Sequence, residues 1–245
     1  MTSAEKYFET LSNILNEVVT TQREPIDAAA RAVAVSLENG CRIHAFGTGH
    51  SHMLAEELFY RAGGLVNVNP ILEPSLMLHE SASKSTELER EEGMGRRLFD
   101  SNNLRAGDVL FVFSNSGRNG VCIDLADIAG RNGVTIIVIT NMKHTMSGAS
   151  RHTSGKRLYE FGNIVIDNCG CVGDAAIEFD GGRIRTSPTS TAVGAAILNA
   201  VEAGAVEYML SHGFEPELFS SSNVDGGDEI NAAFIDKYRG EIKAL

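Results

Sequence analysis

The chain has 245 residues, 43% of them hydrophobic, and its 21 basic and 32 acidic residues give a formal net charge of -11. This length and apolar content suit one large domain, or one domain with a helical extension. The acidic balance disfavours nucleic acid or an anionic membrane surface as a general partner. It does not disfavour a small phosphorylated ligand, because a local nest of backbone amides can hold one inside an acidic protein. No secretory signal opens the chain and no apolar run predicts a bilayer span, so we expect a cytoplasmic protein that does not bind membranes.

Two amphipathic helices are predicted ahead of the first strand. Residues 7–19 place apolar side chains on one face at helical spacing. A second helix starts at Glu24-Pro25, where proline suits the first turn, and ends at the Asn39-Gly40 cap signal. We therefore expect residues 1–40 to form an N-terminal helical extension that packs on the sheet or on a partner subunit.

The first predicted strand, Arg42 to Phe46, runs into a glycine-rich loop, Gly47-Thr48-Gly49-His50-Ser51. The dinucleotide pattern G-x-G-x-x-G fails because His52 occupies the third glycine position, which disfavours an NAD site. A P-loop is also excluded, since no Gly-Lys-Ser/Thr follows. What remains is a loop whose glycines let the backbone approach a ligand and whose polar side chains can hydrogen-bond it.

A long polar excursion follows the second predicted strand, Leu65 to Val68. It runs from Pro70 to Asn102, with a predicted helix around Glu87 to Phe99, and it contains His79-Glu80. Excursions after a strand often carry active-site residues in sheets of this kind. Most of its charges are equally well read as solvated surface.

The strongest ligand signal in the chain lies after Val109–Phe113, whose five apolar residues predict a parallel strand buried on both faces. The polar loop Ser114–Asn119 follows, and a helix begins at about Gly120. Strand, loop and helix in that order direct unpaired backbone amides and the positive end of a helix dipole at one point. Turn formation and helix capping alone would explain one or two polar residues, but five of the six residues in Ser114–Asn119 have polar side chains. The loop therefore predicts an oxyanion site, most plausibly for a phosphate.

Two further strands, a hairpin and a third polar loop complete the pattern. The strands are Thr135–Thr140 and Ile164–Asp167, and the hairpin covers residues 175–185. Ser187-Pro188-Thr189-Ser190-Thr191 then leads into a long helix from about Ala192 to His212. One hydroxyl would suffice as a cap, so four of them mark a third candidate for the ligand pocket. We expect one domain over residues 41–215, then a C-terminal loop and helix over 216–245.

The four cysteines are Cys41, Cys122, Cys169 and Cys171. No second pair and no histidine cluster completes a zinc site around Cys169-Gly170-Cys171. We expect reduced structural thiols.

The three polar loops, taken in order, resemble the ligand loops of the sugar isomerase (SIS) domain family, over roughly residues 25 to 215. The nearest resemblance is to a poorly characterised branch whose members are often labelled phosphoheptose isomerases. The resemblance implies an α/β fold of the flavodoxin-type sandwich, a five-stranded parallel sheet flanked by helices. It also implies a phosphosugar ligand, and a homodimer or homotetramer, since the family's pockets usually lie near a subunit interface.

The resemblance also assigns binding roles by position. The phosphate would be held by Ser114, Asn115, Ser116, Asn119, the Gly117 amide and Arg118. The sugar would be lined by Gly47, Thr48, Gly49, His50 and Ser51. The phosphate end would be closed by Ser187, Thr189, Ser190 and Thr191.

Catalysis transfers less directly, although family isomerases commonly use a carboxylate to move a proton between the carbons next to the carbonyl. Phosphoheptose isomerases carry a glutamate in the helix after the first loop, where Glu56 and Glu57 stand here. They also carry a histidine within the last core helix, whereas Ala192 to Tyr208 contain none here. Our candidate catalytic residues are Glu80 first, Glu57 second, and His79. We expect no metal and no cofactor.

Two other functions stay open. The first is a lyase like the N-acetylmuramic acid 6-phosphate etherases, with Glu57 and Glu80 as its carboxylate pair. The second is a non-catalytic sensor of sugar phosphates, which the missing histidine favours.

Overall fold

A computed structural model describes all 245 residues and contains nine α-helices and seven strands. The helices are α1 (Ser3–Thr21), α2 (Arg23–Glu38), α3 (His52–Leu58), α4 (Leu78–Leu88), α5 (Met94–Ser101), α6 (Gly120–Arg131), α7 (Met142–Met146), α8 (Ser190–Ser211) and α9 (Gly227–Tyr238). The strands are β1 (Ile43–Gly47), β2 (Val68–Pro70), β3 (Val109–Phe113), β4 (Thr135–Thr140), β5 (Ile164–Asp167), β6 (Ile177–Phe179) and β7 (Ile184–Thr186).

Strands β1 to β5 form one parallel sheet in the order β2-β1-β3-β4-β5. Helices cover both of its faces, which confirms the predicted α/β fold with a five-stranded parallel sheet. The two short strands β6 and β7 form the predicted hairpin, which is antiparallel and separate from the main sheet.

Two hydrophobic clusters fill the space between the sheet and its helices. One joins the sheet to α1, α2, α3 and α8, and includes Val18, Val33 and Ile197. The other joins the opposite face to α5 and α6, and includes Leu98 and Leu125. The N-terminal helices thus pack on the sheet of their own chain. The predicted division at residues 40 and 215 stays a prediction.

The excursion after the first two strands differs from its prediction. The single helix predicted around Glu87–Phe99 is wrong: α4 and α5 are separate, and Gly93 between them has φ +92°, which a helix cannot accommodate. The second strand, β2, begins at Val68, three residues later than predicted. Leu65, the predicted first residue, instead forms an isolated antiparallel bridge with Leu218. Local composition favours helix across the polar stretch, but it does not mark the break.

One helix, α8, is long and apolar enough to span a bilayer, although the sequence was expected to contain no such run. Val193, Ile197, Val201 and Met209 on α8 are buried in the first hydrophobic cluster. Length and composition of this kind are also found in the core helix of a soluble protein, so the helix is weak evidence for a membrane span.

A buried polar network ties the amino ends of β1 and β3 together. The carboxylate of Asp108 accepts hydrogen bonds from the backbone amides of Arg42 and Arg105, both at 2.9 Å. Its Oδ2 lies 3.2 Å from Nε2 of His44, and both side chains are fully buried. Burial lowers the pKa of His44, so the imidazole is neutral and donates from Nε2 to the Asp108 carboxylate.

Candidate functional site

The candidate site lies at the carboxyl edge of the sheet, where the strand order reverses between β1 and β3. In open parallel sheets the loops leaving such a pair diverge and leave a crevice for ligands. The first loop (residues 47–51) follows β1 and the second loop (residues 114–119) follows β3. The amino end of α8 reaches the same crevice. Its lining residues are His50, Ser51, Leu54, Phe113, Ser114, Asn115, Ile139, Asn168, Ser190 and Thr191.

Most backbone amides of the second loop are free to bind a ligand. The Gly117 amide donates to Oγ of Ser114 at 3.1 Å. The Ser114 amide donates to the Ile139 carbonyl at 3.2 Å, whereas no atom of the chain accepts a hydrogen bond from the amides of Asn115, Ser116, Arg118 and Asn119. The 12-residue helix α6 begins directly after them, and the positive end of its dipole adds to the same point. Free amides at a helix start form a site for an anion.

The second loop is held from behind by β4, α7 and the segment before β5. The Thr140 hydroxyl donates to the Ser114 carbonyl at 2.7 Å, and the Thr145 hydroxyl donates to the Ser116 carbonyl at 3.0 Å. Gly117 has φ +59°, and a Cβ there would lie only 2.8 Å from Oγ1 of Thr145. Glycine is therefore needed both for its backbone conformation and for the close approach. With its carbonyls bound on one side, the loop presents its amides on the other.

Two arginines lie at the second loop, Arg118 within it and Arg151 beside it, and neither forms an ion pair with a carboxylate. Arg118 donates from Nε to the Ala149 carbonyl at 2.6 Å, and Arg151 donates from Nη1 to Oδ1 of Asn119 at 2.9 Å. Burial, followed by the neighbouring guanidinium groups of Arg90 and Arg118, lowers the pKa of Arg151. In a chain with a net charge of -11, this is a local concentration of positive charge.

A histidine between two carboxylates anchors the segment that carries Arg151. Nε2 of His152 lies 3.0 Å from Oδ1 of Asp124 on α6 and 3.6 Å from Oε2 of Glu92. Glu92 also accepts hydrogen bonds from the amide and hydroxyl of Thr153, both at 2.7 Å. These three side chains are close enough to hold a metal ion, and they also satisfy one another as an ion-paired cluster. Either way, they fix Arg151 beside the second loop.

A residue that the sequence did not single out, Glu89, contacts both the first loop and the helix that follows the second loop. The Thr48 hydroxyl donates to Oε2 of Glu89 at 2.8 Å, and the Glu89 carbonyl accepts from the Val121 amide of α6 at 3.3 Å. Glu89 is half-buried at the end of α4. Burial and the nearby Glu89 charge raise the pKa of the Cys122 thiol to about 12, so this cysteine is no nucleophile. In the sequence, Glu89 is one of several acids in a polar stretch with no signal of its own.

The three predicted catalytic side chains do not meet in the crevice. Glu57 faces α8, where it accepts from Nδ2 of Asn199 at 3.0 Å and pairs with Arg61. Glu80 and His79 lie at the start of α4 with side chains 59% and 67% exposed. The proposed carboxylate pair of Glu57 and Glu80 is therefore not assembled around a common point.

The third predicted loop is placed in part at the crevice. Ser190 and Thr191 line it, whereas Thr189 is buried behind them and Ser187 lies outside the lining. Asn168, after β5, also reaches the crevice and donates from Nδ2 to Oδ1 of Asn115 at 2.9 Å. The amides of Thr189 and Ser190 are already bound by the carboxylate of Asp174. Asn168 and Asp174 were not anticipated, because each comes from a loop with no repeating pattern.

The chain matches known proteins at the level of family and fold. The model of the SIS domain matches residues 6–141. A UPF0309 protein of Listeria innocua is 45% identical over 239 residues, covering 98% of this chain and 97% of that protein. A UPF0309 protein of Geobacillus sp. is 44% identical over 241 residues, covering 98% of each.

Two solved structures share the fold at low sequence identity. A phosphoheptose isomerase from Francisella tularensis superposes with a TM-score of 0.54 at 17% identity, over 84% of this chain and all of that one. The Vibrio vulnificus NanR protein complexed with ManNAc-6P superposes with a TM-score of 0.52 at 15% identity, over 96% of this chain and 70% of that one.

Proposed function

The chain belongs to the SIS domain family and, within it, to the UPF0309 proteins, and from that premise we propose that it binds a phosphorylated sugar and isomerises it between aldose and ketose forms. The phosphate would lie on the second loop and the sugar between the first loop and α8. Two proteins of the same fold support this choice, one called a phosphoheptose isomerase and one solved with ManNAc-6P. The hydrogen-bonding groups of the site support the proposal more strongly than either similarity does.

The single observation that carries it is the unoccupied hydrogen-bonding capacity of the second loop. The loop carries four amides without an acceptor, the Ser116 hydroxyl and Arg118, and Arg151 contacts the side chain of its Asn119; neither guanidinium group pairs with a carboxylate. Charge-assisted hydrogen bonds contribute about 1.5–3 kcal/mol each. Four of them support micromolar binding, which corresponds to about 8 kcal/mol.

For the proton transfer we propose Glu89 as the base. Its carboxylate accepts a hydrogen bond from the hydroxyl of Thr48 in the first loop, and the neighbouring loop residues His50 and Ser51 line the crevice that the sugar would occupy. A carboxylate there can take the proton from the carbon next to the carbonyl and return it to the neighbouring carbon, through an enediol. Glu80 is the second candidate, because α4 contacts the first loop and its exposed side chain is free to turn inward.

Solvent exchange tests both the reaction and the base. The protein is incubated with hexose and heptose phosphates in deuterated water, and incorporation at C2 is followed by NMR. We expect exchange with the native protein, loss of at least about a hundredfold in Glu89→Gln, and no change in Glu91→Gln, a matched exposed glutamate two residues away. Exchange that survives in Glu89→Gln would remove Glu89 from the proposal.

The same samples separate the other functions. Ligand binding without exchange in the native protein would favour a sensor of sugar phosphates. Release of lactate from N-acetylmuramic acid 6-phosphate would favour a lyase. Glu57 points towards Asn199 and Arg61, which argues against Glu57 and Glu80 as the carboxylate pair that a lyase would need.

We also propose that the chain works as a homodimer or homotetramer in the cytoplasm. Phe8 and Val19 on α1 are exposed apolar side chains, and covering them would stabilise an assembly. All four cysteines are free, as is usual in a reducing compartment. Light scattering coupled to gel filtration measures the assembly, and a monomer at micromolar concentration would contradict it.

A further inference from the structure

A carboxylate already occupies the anion position at the start of α8. The amides of Thr189 and Ser190 both donate to Oδ1 of Asp174 at 3.0 Å, and the Ser190 hydroxyl donates to Oδ2. The side chain of Thr189 itself makes no capping hydrogen bond. A helix start binds one anion through these groups, and here the chain supplies it. An external phosphate would have to displace Asp174 to bind there.

Two deeply buried polar groups beside this carboxylate have no hydrogen-bond partner. They are Oγ1 of Thr189 and Nδ2 of Asn141, in residues that are each only 1% exposed. Both groups flank Gly170: a Cβ at that position would lie 2.8 Å from Nδ2 of Asn141 and 3.7 Å from Oγ1 of Thr189. Leaving a buried donor unpaired costs about 1–3 kcal/mol. Neither side chain lines the crevice, where the neighbouring Ser190 and Thr191 are the groups that a ligand would meet.

The chemistry of these groups fits hydroxyls rather than an anion. Ser190 and Thr191 offer hydroxyls that both donate and accept, and Asp174 offers acceptors only. Burial and Arg118 lower the pKa of His144, while Asp174 opposes that shift. Positive charge is thus concentrated at the second loop, and negative charge at α8.

We propose that Asp174 sets the charge selectivity of the site, admitting the neutral, hydroxyl-bearing end of a singly phosphorylated sugar and rejecting a second phosphate or a carboxylate. The inference rests on the proposed function, since it assumes that the first phosphate lies on the second loop. It also revises the expected role of Ser190 and Thr191, which would bind the sugar rather than close the phosphate end. Asp174 is a specificity residue here, not a catalytic one.

Calorimetric titration with fructose 6-phosphate and fructose 1,6-bisphosphate tests this selectivity. We expect the native protein to prefer the monophosphate by at least about tenfold, because a second phosphate would meet the Asp174 charge at close range. Asp174→Asn and Asp174→Ser both remove that charge, and asparagine keeps a side-chain oxygen that can accept from the amides of Thr189 and Ser190. Each should reduce the preference by about tenfold or more, mainly by tighter binding of the bisphosphate.

Asp180→Asn is the matched control, since Asp180 is an exposed aspartate in the hairpin turn, paired only with Arg183. It should leave the preference unchanged. A preference that stays the same in both Asp174 variants, or a native protein that binds the two sugars equally, would overturn the inference and leave the proposed function standing. A native protein that binds neither sugar would count against the proposed function itself. Melting temperatures of all variants separate a lost charge from a damaged fold.

Discussion

Replacing Gly117 with alanine is expected to damage both the stability of the protein and its affinity for phosphate. Gly117 sits in the middle of the second loop with φ +59°, and an added Cβ would lie 2.8 Å from Oγ1 of Thr145 and 3.3 Å from Oγ1 of Thr140. Both hydroxyls are fixed, because each donates to a carbonyl of the loop. The loop itself therefore has to move.

Two contributions set the size of the effect. A left-handed backbone costs alanine about 1–2 kcal/mol relative to glycine. Forcing a methyl group against fixed neighbours adds about 1–3 kcal/mol. The free energy of unfolding should therefore fall by about 2–5 kcal/mol. In a domain of this size, each kcal/mol lost lowers the melting temperature by about 2–4 °C. A displaced loop also loses one or two of its phosphate hydrogen bonds, so affinity should drop by about tenfold or more.

Gly213→Ala is the matched control for the backbone contribution alone. Gly213 follows α8 at its far end with φ +75°, and a Cβ there would meet nothing within 4 Å. Thermal unfolding and phosphate titration are measured for both variants and for the native protein. Gly213→Ala should lose only about 1–2 kcal/mol and bind phosphate normally. Equal losses in the two variants, or native phosphate affinity in Gly117→Ala, would show that the loop is not held rigidly from behind.

Three other predictions address the charges and thiols around the site. Arg151→Gln should weaken the binding of inorganic phosphate by about tenfold with little change in melting temperature. The control is Arg131→Gln, at the far end of α6 and paired with Asp127, which should not affect binding. Phosphate titration at low and high salt measures the affinity of both variants. Burial lowers the pKa of His44 in the folded protein, so unfolding below pH 6.5 takes up a proton at this residue and stability falls with pH. His44→Gln should make this fall less steep. Urea unfolding at several pH values measures the dependence of stability on pH, and the same dependence in the variant would contradict the prediction. Iodoacetamide at mildly alkaline pH should label the half-exposed cysteines and spare Cys122, whose pKa is about 12, as peptide mass spectrometry would reveal.

The sequence predicted the central strand and its loop well because their signals are local. Val109 to Phe113 form a continuous apolar run, and the structure buries all five residues in β3. The helix after the loop begins at Gly120, within a residue of its prediction. The parallel five-stranded sheet and the convergence of the polar loops were implied by the family resemblance, and the strand order was not predicted, since no local pattern encodes which strands are neighbours.

The residues that complete the candidate site were not predicted because they act across long stretches of chain. Asp174 caps a helix whose first residue is Ser190, and Glu89 reaches Thr48 across 41 residues. Neither position has a periodicity or a spacing that separates it from ordinary surface acids. Glu57, by contrast, lies in the expected helix α3, but its partners Arg61 and Asn199 hold its carboxylate towards α8. Which way a helix turns its acids depends on what packs against it.

The charge distribution explains how an acidic chain can be suited to a phosphate ligand. Long-range repulsion from a net charge of -11 is screened over about 8 Å at physiological ionic strength, so only groups near the ligand decide its affinity. Near the second loop those groups are free amides and unpaired arginines, and near α8 the nearest charge is Asp174. A ligand with one phosphate and a neutral body matches both ends, and a ligand with two anionic ends matches only one. Under the proposed function, the polarity of the crevice, rather than the net charge of the protein, would determine which sugars bind.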